Sequence, residues 1–253
     1  MGQLDGKVAI VTGASRGIGK AIAVLFAQEG ASVVLAARSE AETPDLPGTI
    51  HATAAQIASA GGKALAIKTD VRFDEEVQSL VDSTVAAFGG VDILVNNAAA
   101  QFPTPLKDIS MRRWDVVLNV NLRGTVLCTK LALPHLIARK GAIINITSRS
   151  AVMTGKRHDG GLAYGVSKVA INKLTLGLAE ELRPEGISVN AVQPKTAVAT
   201  EGVLRAYGGP PSYKTVGPEN MAHAVLYLAQ QTPTTRTGWI GFDEDLRAET
   251  GAW

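Results

Sequence analysis

A glycine-punctuated turn directly after the first apolar run constrains this chain more than any other feature. Lys7–Val11 is short, apolar and β-branched, as a buried strand requires. Thr12-Gly13-Ala14-Ser15-Arg16-Gly17-Ile18-Gly19 follows it, and Ile18, Ile22, Leu25 and Phe26 then mark one face of a helix that Gly30 ends. Strand, glycine turn and helix in that order bring backbone amides and a helix N-terminus to one point, where they can meet a pyrophosphate. The spacing is Gly-x-x-x-Gly-x-Gly. The competing reading, glycines kept only for tight packing, is weakened by the strand before the turn and the helix after it.

The same alternation continues along the chain. Strands are expected near Ser32–Ala37, Ala64–Lys68, Asp92–Val95, Ala142–Ile146, Ser188–Val192 and Trp239–Phe242, and helices over His51–Ala60, Glu75–Phe88, Val116–Ala138, Ala163–Leu182 and Glu219–Gln230. Seven strands with helices between them imply an α/β fold, a doubly wound parallel seven-stranded sheet of Rossmann type with helices on both faces, formed as one domain over residues 1–253. No stretch reads as a linker or a repeat. Ligands on such sheets bind beyond the carboxyl ends of the strands.

Composition narrows the partners. Twenty-five basic residues stand against 23 acidic ones, a net charge of +2, which gives no footprint for nucleic acid or an anionic membrane. Cys128 is the single cysteine, so no internal disulfide can form. The N-terminus lacks an apolar signal core, and no uncharged run reaches the ~18 residues of a membrane span. The expectation is a soluble, cytoplasmic protein. His51, His135 and His223 show no ligand spacing, so no metal site is expected.

Two further segments carry chemistry. The second strand ends in Ala37-Arg38-Ser39, with no carboxylate before Glu40, and Arg16 lies inside the glycine turn. An acidic residue there would suit a free ribose 2′-hydroxyl, whereas two guanidiniums and a hydroxyl suit a 2′-phosphate, so NADP is expected over NAD; the competing reading leaves both arginines in solvent. Far downstream, Tyr164-Gly165-Val166-Ser167-Lys168 places a phenol and an ammonium four residues apart on one helical face. The ammonium is expected to favour the ionised phenol and so make Tyr164 an acid/base catalyst near neutral pH. An amphipathic helix with its lysine in water is the bland alternative.

With these motifs in order, and with Asp70-Val71, Asn96-Asn97-Ala98-Ala99, Asn121 and Ser148 between them, the chain resembles a short-chain dehydrogenase/reductase over nearly its whole length. The resemblance implies that Gly13, Ser15, Arg16, Gly17, Ile18, Gly19 and Arg38 hold the nucleotide, that Asp70 and Val71 flank the adenine, and that Asn97, Ala98 and Ala99 line the cofactor. It implies that Tyr164 exchanges a proton with the substrate oxygen, that Ser148 hydrogen-bonds the same oxygen, and that Lys168 holds the nicotinamide ribose. Asn121 would anchor a water linking Lys168 to solvent. Thr147 and Ser150 remain alternatives to Ser148, and Asn119 to Asn121.

Two stretches depart from the family pattern. Pro194-Lys195-Thr196-Ala197-Val198-Ala199-Thr200 carries Lys where Gly is usual, which leaves the register of Pro194, Thr196 and Val198 against the carboxamide open by one residue. Trp239–Asp245 replaces the usual glycine pair with an acidic terminal strand. These features and the insertion Ser39–Ile50 make the chain most similar to the hydroxysteroid-dehydrogenase-like branch, which often carries a further lipid-transfer domain; a chain ending at Trp253 reads as the catalytic domain alone.

The substrate is expected to meet residues 149–161 and 196–216. Ala197, Val198, Val203, Leu204, Ala206 and Tyr207 suit either a lid helix over a hydrophobic alcohol or carbonyl, or an ordinary surface helix. Lys156, Arg157 and His158 read as a solvated basic loop. Two other functions stand beside a lipid-, terpenoid- or steroid-directed oxidoreductase: a 3-oxoacyl-thioester reductase, and a nucleotide sensor without chemistry, against which the retained Tyr164 and Lys168 count. The family resemblance implies a homodimer or homotetramer, with Ala163, Ser167, Ala170 and Leu174 on the helix that pairs between subunits.

Overall fold

The computed structural model describes residues 2–44, 46–152, 161–209 and 214–253. Seven parallel strands form one sheet: β1 (Val8–Thr12), β2 (Ser32–Ala37), β3 (Lys63–Lys68), β4 (Ile93–Asn96), β5 (Ala142–Ile146), β6 (Ser188–Gln193) and β9 (Ile240–Phe242), in the spatial order β3-β2-β1-β4-β5-β6-β9. The order reverses between β1 and β4. That is the switch point at which the carboxyl ends of the strands leave a crevice.

Every residue of β1, β4, β5 and β6 is buried, which is why these strands read as continuous rather than alternating apolar runs. One face packs on α1 (Gly17–Gln28) and α8 (Glu219–Ala229) through Ile22, Phe26, Val33, Ile144, Val225 and Leu228. The other packs on α3 (Asp74–Phe88) and α5 (Gly124–Arg139) through Ile10, Leu80, Leu94, Leu136 and Ile143. Local signals set the helix ends. Thr49 accepts the Ala52 amide to cap α2 (Ile50–Ser59), and Asp74, Glu75 and Glu76 complement the positive end of α3.

Several expectations are corrected. The helix expected over Val116–Ala138 begins earlier and is broken: α4 (Met111–Leu118) passes into a π-helical turn (Asn119–Arg123) before α5, with the Gly124 amide donating to Asn119 O. Such a turn inserts a residue and re-aims its side chains. Met111–Arg139 is long and apolar enough to cross a bilayer by length and composition, but half of its apolar window is buried inside the protein. Asp243-Glu244-Asp245, expected in a terminal strand, opens α9 (Asp243–Thr250), where carboxylates suit the helix N-terminus. A two-stranded sheet of β7 (Ala197–Val198) and β8 (Thr215–Val216) has no counterpart in the sequence reading.

On α6 (Leu162–Glu181) half of the expected interface face is turned inward, and Ala170 and Leu174 are half-buried. Ala163 and Ser167 are buried against the protein, while Leu162, Val166, Val169 and Leu176 are exposed. Ala163 and Ser167 serve close packing within the chain, and Leu162, Val166, Val169 and Leu176 face outward.

Candidate active site

A cleft of about 900 Å³ opens at the switch point. Its volume lies toward the upper end of the roughly 300–1,000 Å³ usual for ligand sites. One half is built by the glycine turn. Gly13 has φ +69°, and a Cβ there would meet Asn97 Nδ2 at 2.8 Å; a Cβ at Gly19 would meet Gly13 O at 2.4 Å. Only glycine permits that backbone to lie so close to β4. Asn97 Nδ2 donates to Thr12 O at 2.8 Å, while Thr12 Oγ1 accepts from the amides of Asn97 and Ala98 and donates to Val95 O. These bonds tie β1 to β4 and open α1 toward the cleft. Gly13, Ser15, Arg16, Gly17, Ile18, Gly19, Asn97, Ala98 and Ala99 all line it. A glycine turn that leads into a helix N-terminus at the edge of a crevice fits a dinucleotide pyrophosphate.

The two arginines expected to share a 2′-phosphate have different surroundings. Arg16 donates from Nε to Pro47 O at 2.8 Å and from Nη2 to Gly48 O at 2.6 Å, so its guanidinium is tied to the insertion rather than free to cradle an anion. Burial holds its pKa below the ordinary value, Glu201 opposing the shift and Arg205 adding to it. Arg38 is different. Its side chain is 60% exposed beside the cleft, 4.0 Å from Asp70 Oδ2. Asp70 is held chiefly by Arg72, whose Nε and Nη2 reach its two oxygens at 2.9 and 2.6 Å. Burial alone would raise the Asp70 pKa, but these bonds outweigh it and bring it below the ordinary value. Val71 lies beside Asp70 on the cleft wall and against Gly124.

The residues expected to be catalytic gather where β5 ends against α6. Lys168 Nζ donates to Ile146 O at 2.7 Å, and Ser148 hydrogen-bonds Tyr164. Thr147 Oγ1 is turned to Lys168 O at 3.3 Å, and the Ser150 amide donates to Ser148 Oγ at 3.2 Å, so Ser148 is the hydroxyl of the three bonded to the phenol. The expected acidification of Tyr164 is reversed. Burial pushes the phenol up to about 12, with the Ser148 bond pulling partway back. Lys168, only 2% exposed, is itself pushed down to about 8 by burial and does not offset this.

Asn121 lies in the π-helical turn, fully buried behind the cleft wall, whereas Asn119 is exposed. Its Oδ1 accepts from the Ala100 amide at 2.7 Å, and its Nδ2 donates to Ala100 O and Ser167 Oγ at 3.0 and 2.9 Å. The side chain of this residue, which was expected to hold a water, is therefore engaged by protein groups, with both Nδ2 hydrogens used. Its backbone carbonyl accepts from Thr125 Oγ1 at 2.7 Å.

After β6, Pro194, Ala197, Val198 and Thr200 line the cleft. Thr196, expected on the cofactor, is not among the lining residues: its hydroxyl donates to Glu244 Oε1 at 2.7 Å because the first turn of α9 lies alongside. Thr200 caps α7 (Glu201–Tyr207) by accepting the Val203 amide, and a methyl at Gly17 would meet its side chain at 2.8 Å. Val203, Ala206 and Tyr207 on α7 line the cleft, with Tyr207 close enough to Tyr164 to raise its pKa further. Phe102, Pro103 and Arg113 complete this wall and were not expected. Their signal was positional, since Phe102 follows Asn97–Ala100 beyond the carboxyl end of β4. Lys156, Arg157 and His158 lie outside the described residues.

Residues 7–204 match the family model described as short chain dehydrogenase. The hydroxysteroid dehydrogenase-like protein 2 of Danio rerio is 42% identical over 253 residues, covering 99% of this chain and 60% of that protein, so the chain spans about three-fifths of the length of that relative. Among solved structures, a short chain dehydrogenase from Mycobacterium thermoresistibile is similar with a TM-score of 0.86 at 36% identity, covering 98% of this chain and 89% of that one. A short-chain dehydrogenase/reductase of unknown function from Caenorhabditis elegans, solved with cofactor, gives 0.83 at 31% identity and covers 99% of each chain.

Proposed function

The chain belongs to the short-chain dehydrogenase/reductase family, in its hydroxysteroid-dehydrogenase-like branch, and from that premise we propose that it is an NADP(H)-dependent oxidoreductase acting on a hydrophobic alcohol or carbonyl. The observation that carries this reading is the convergence of Ser148, Tyr164 and Lys168 in the cleft that the glycine turn opens. A bound nicotinamide would donate or accept hydride at the substrate carbon. The turn Gly13–Gly19 would hold its pyrophosphate and Arg38 its 2′-phosphate.

The rest of the chemistry belongs to the side chains. Tyr164 Oη delivers a proton to the substrate oxygen as charge develops there, and Ser148 Oγ donates a hydrogen bond to the same oxygen. A phenol at about 12 is almost wholly protonated at neutral pH, which suits it as the acid of carbonyl reduction. Lys168, pinned to Ile146, is placed to meet a ribose hydroxyl and to accept or release a proton near pH 8. Phe102, Pro103, Val203, Ala206 and Tyr207 supply an apolar wall for the substrate body. A second reading, reduction of a 3-oxoacyl thioester, is favoured by Arg113 and Arg149 on the same cleft, since guanidiniums suit the phosphates of an acyl carrier. NADPH and NADH oxidation against steroid, terpenoid, aliphatic and acyl-thioester carbonyls tests both. Turnover confined to acyl thioesters would replace the first reading with the second, and no turnover with any carbonyl would remove both.

A further inference from the structure

The two stretches where this sequence departs from its family are in contact with each other. Parallel pairing of Gln193 with Phe242 brings β6 and β9 to an end side by side, so the residues that follow each strand emerge together. The Lys195 amide donates to Asp243 Oδ1 at 2.9 Å, and the Glu244 amide donates to the same oxygen at 2.9 Å. Lys195 Nζ reaches Asp245 Oδ1 at 2.5 Å, and Thr196 Oγ1 reaches Glu244 Oε1 at 2.7 Å. Three consecutive carboxylates thus grip two consecutive residues. Asp243 is 1% exposed, so its bond to the Lys195 backbone is shielded from water.

The gripping element is itself fixed. Leu246 is fully buried in the core with α8, and Arg236 pairs with Glu249 Oε1 at 2.6 Å. The gripped segment leads directly into the cleft, where Pro194, Ala197, Val198 and Thr200 form one wall and Thr200 starts α7 over Gly17. Among the described residues this wall is otherwise restrained by two short strands, β7 and β8, by burial of Val198 in the core and by the α7 cap, and none of the α7 residues is buried.

We infer that Asp243, Glu244 and Asp245 are positioning residues, a bracket that sets the depth of the Pro194–Thr200 wall against the bound nicotinamide nucleotide. The lysine and the acidic run are then one paired adaptation: the side chain at 195 supplies the cation that the acidic turn requires. A chain with glycine at that position would leave Asp245 without its partner. The inference rests on the nicotinamide reading above.

The exposed pair tests it, because Lys195 and Asp245 are both about half exposed and such pairs add little to stability. Lys195→Ala, Asp245→Ala and the double variant are compared with the parent by thermal melting, NADPH titration, kinetics and amide hydrogen exchange without nucleotide. Each single variant is expected to melt near the parent, to raise the NADPH dissociation constant and KM roughly 5-fold with kcat nearly unchanged, and to exchange faster across residues 194–204; the double variant is expected to match the singles, since either change breaks the same contact. Parent-like exchange in all three variants overturns the bracket. Failure of the parent to bind NADPH or NADH would instead overturn the underlying reading, while the exchange result would still decide whether α9 restrains the wall. Asp243→Asn keeps an acceptor oxygen for the Lys195 amide and is expected to fall between parent and Asp245→Ala in exchange.

Discussion

Lys168 donates its ammonium proton to the carbonyl of Ile146 at 2.7 Å, and that bond fixes the lysine at the end of the strand from which Ser148 projects. Its Nζ lies 5.5 Å from the centre of the Tyr164 ring. The lysine is thereby an anchored group between sheet and helix, and the phenol is hydrogen-bonded with Ser148. Tyr164→Phe removes the proposed proton donor to the substrate oxygen while leaving Lys168, Ser148 and the nucleotide half in place. Turnover is expected to fall by at least ~10²-fold with NADPH affinity within about 2-fold of the parent. Single-turnover kinetics and nucleotide titration check it, and parent-like turnover in a folded variant would remove Tyr164 from the mechanism.

Burial of Lys168 also makes stability depend on pH. Its pKa falls from 10.5 in the open chain to about 8 in the folded protein, so between these values the unfolded chain binds more protons and stability rises with pH. Integrated from pH 7 to 9.5, this contributes a gain of about 2 kcal/mol. Tyr164 works in the opposite sense above pH 10, since its folded pKa lies near 12, and leaves this window untouched. Denaturant unfolding of the parent and Lys168→Met at the two pH values should show the gain in the parent and lose it in the variant. Equal pH slopes would mean that the ammonium is solvated in the folded state.

The proposed preference for NADP(H) turns on Arg38. It stands at the end of β2 with its side chain largely exposed on the cleft, while Arg16 is occupied by the carbonyls of Pro47 and Gly48. NADPH is therefore expected to bind more tightly than NADH. Arg38→Asp should reverse or abolish the preference, replacing a phosphate partner with a carboxylate suited to a ribose hydroxyl, while Arg16→Ala should weaken both nucleotides alike by loosening the insertion. Titration of both nucleotides against the three proteins decides it, and equal affinities in the parent would end the claim.

What was legible in the sequence is what local chemistry encodes. Gly13 is required by its own φ of +69° and Gly19 by the approach of Gly13 O within the same turn, and the strands of the sheet's centre announce themselves because they are buried on both faces. The positions whose surroundings differ from expectation depend on partners distant in sequence. Thr196 is drawn off the cleft by Glu244, Arg16 is captured by the insertion, and the Tyr164 pKa is set by how much protein surrounds it. No periodicity or spacing near these residues carries that information. The π-helical turn was hidden for a related reason: its sequence is an ordinary helical one, and Asn121 finds its place only when Ala100 and Ser167 are beside it.

Assembly follows from the face of α6 that the sheet does not use. Leu162, Val166, Val169 and Leu176 recur at steps of four, three and seven, one exposed stripe on a helix whose opposite side holds Ser167, Lys168 and Ile171 in the interior. Val169 is 50% exposed, and Val126 on α5 is also exposed. An apolar stripe of this kind is unfavourable in water and, repeated by a two-fold axis, covers itself. A homodimer or homotetramer paired through α6 is expected. Val166→Glu with Val169→Glu places like charges against each other across that axis and should yield monomers at micromolar concentration by light scattering. Because Tyr164 and Lys168 lie on the same helix, the monomer should also lose activity by ~10-fold or more through a less rigid site. A parent that already runs at 26.4 kDa with full turnover would show that the stripe is not an obligatory interface.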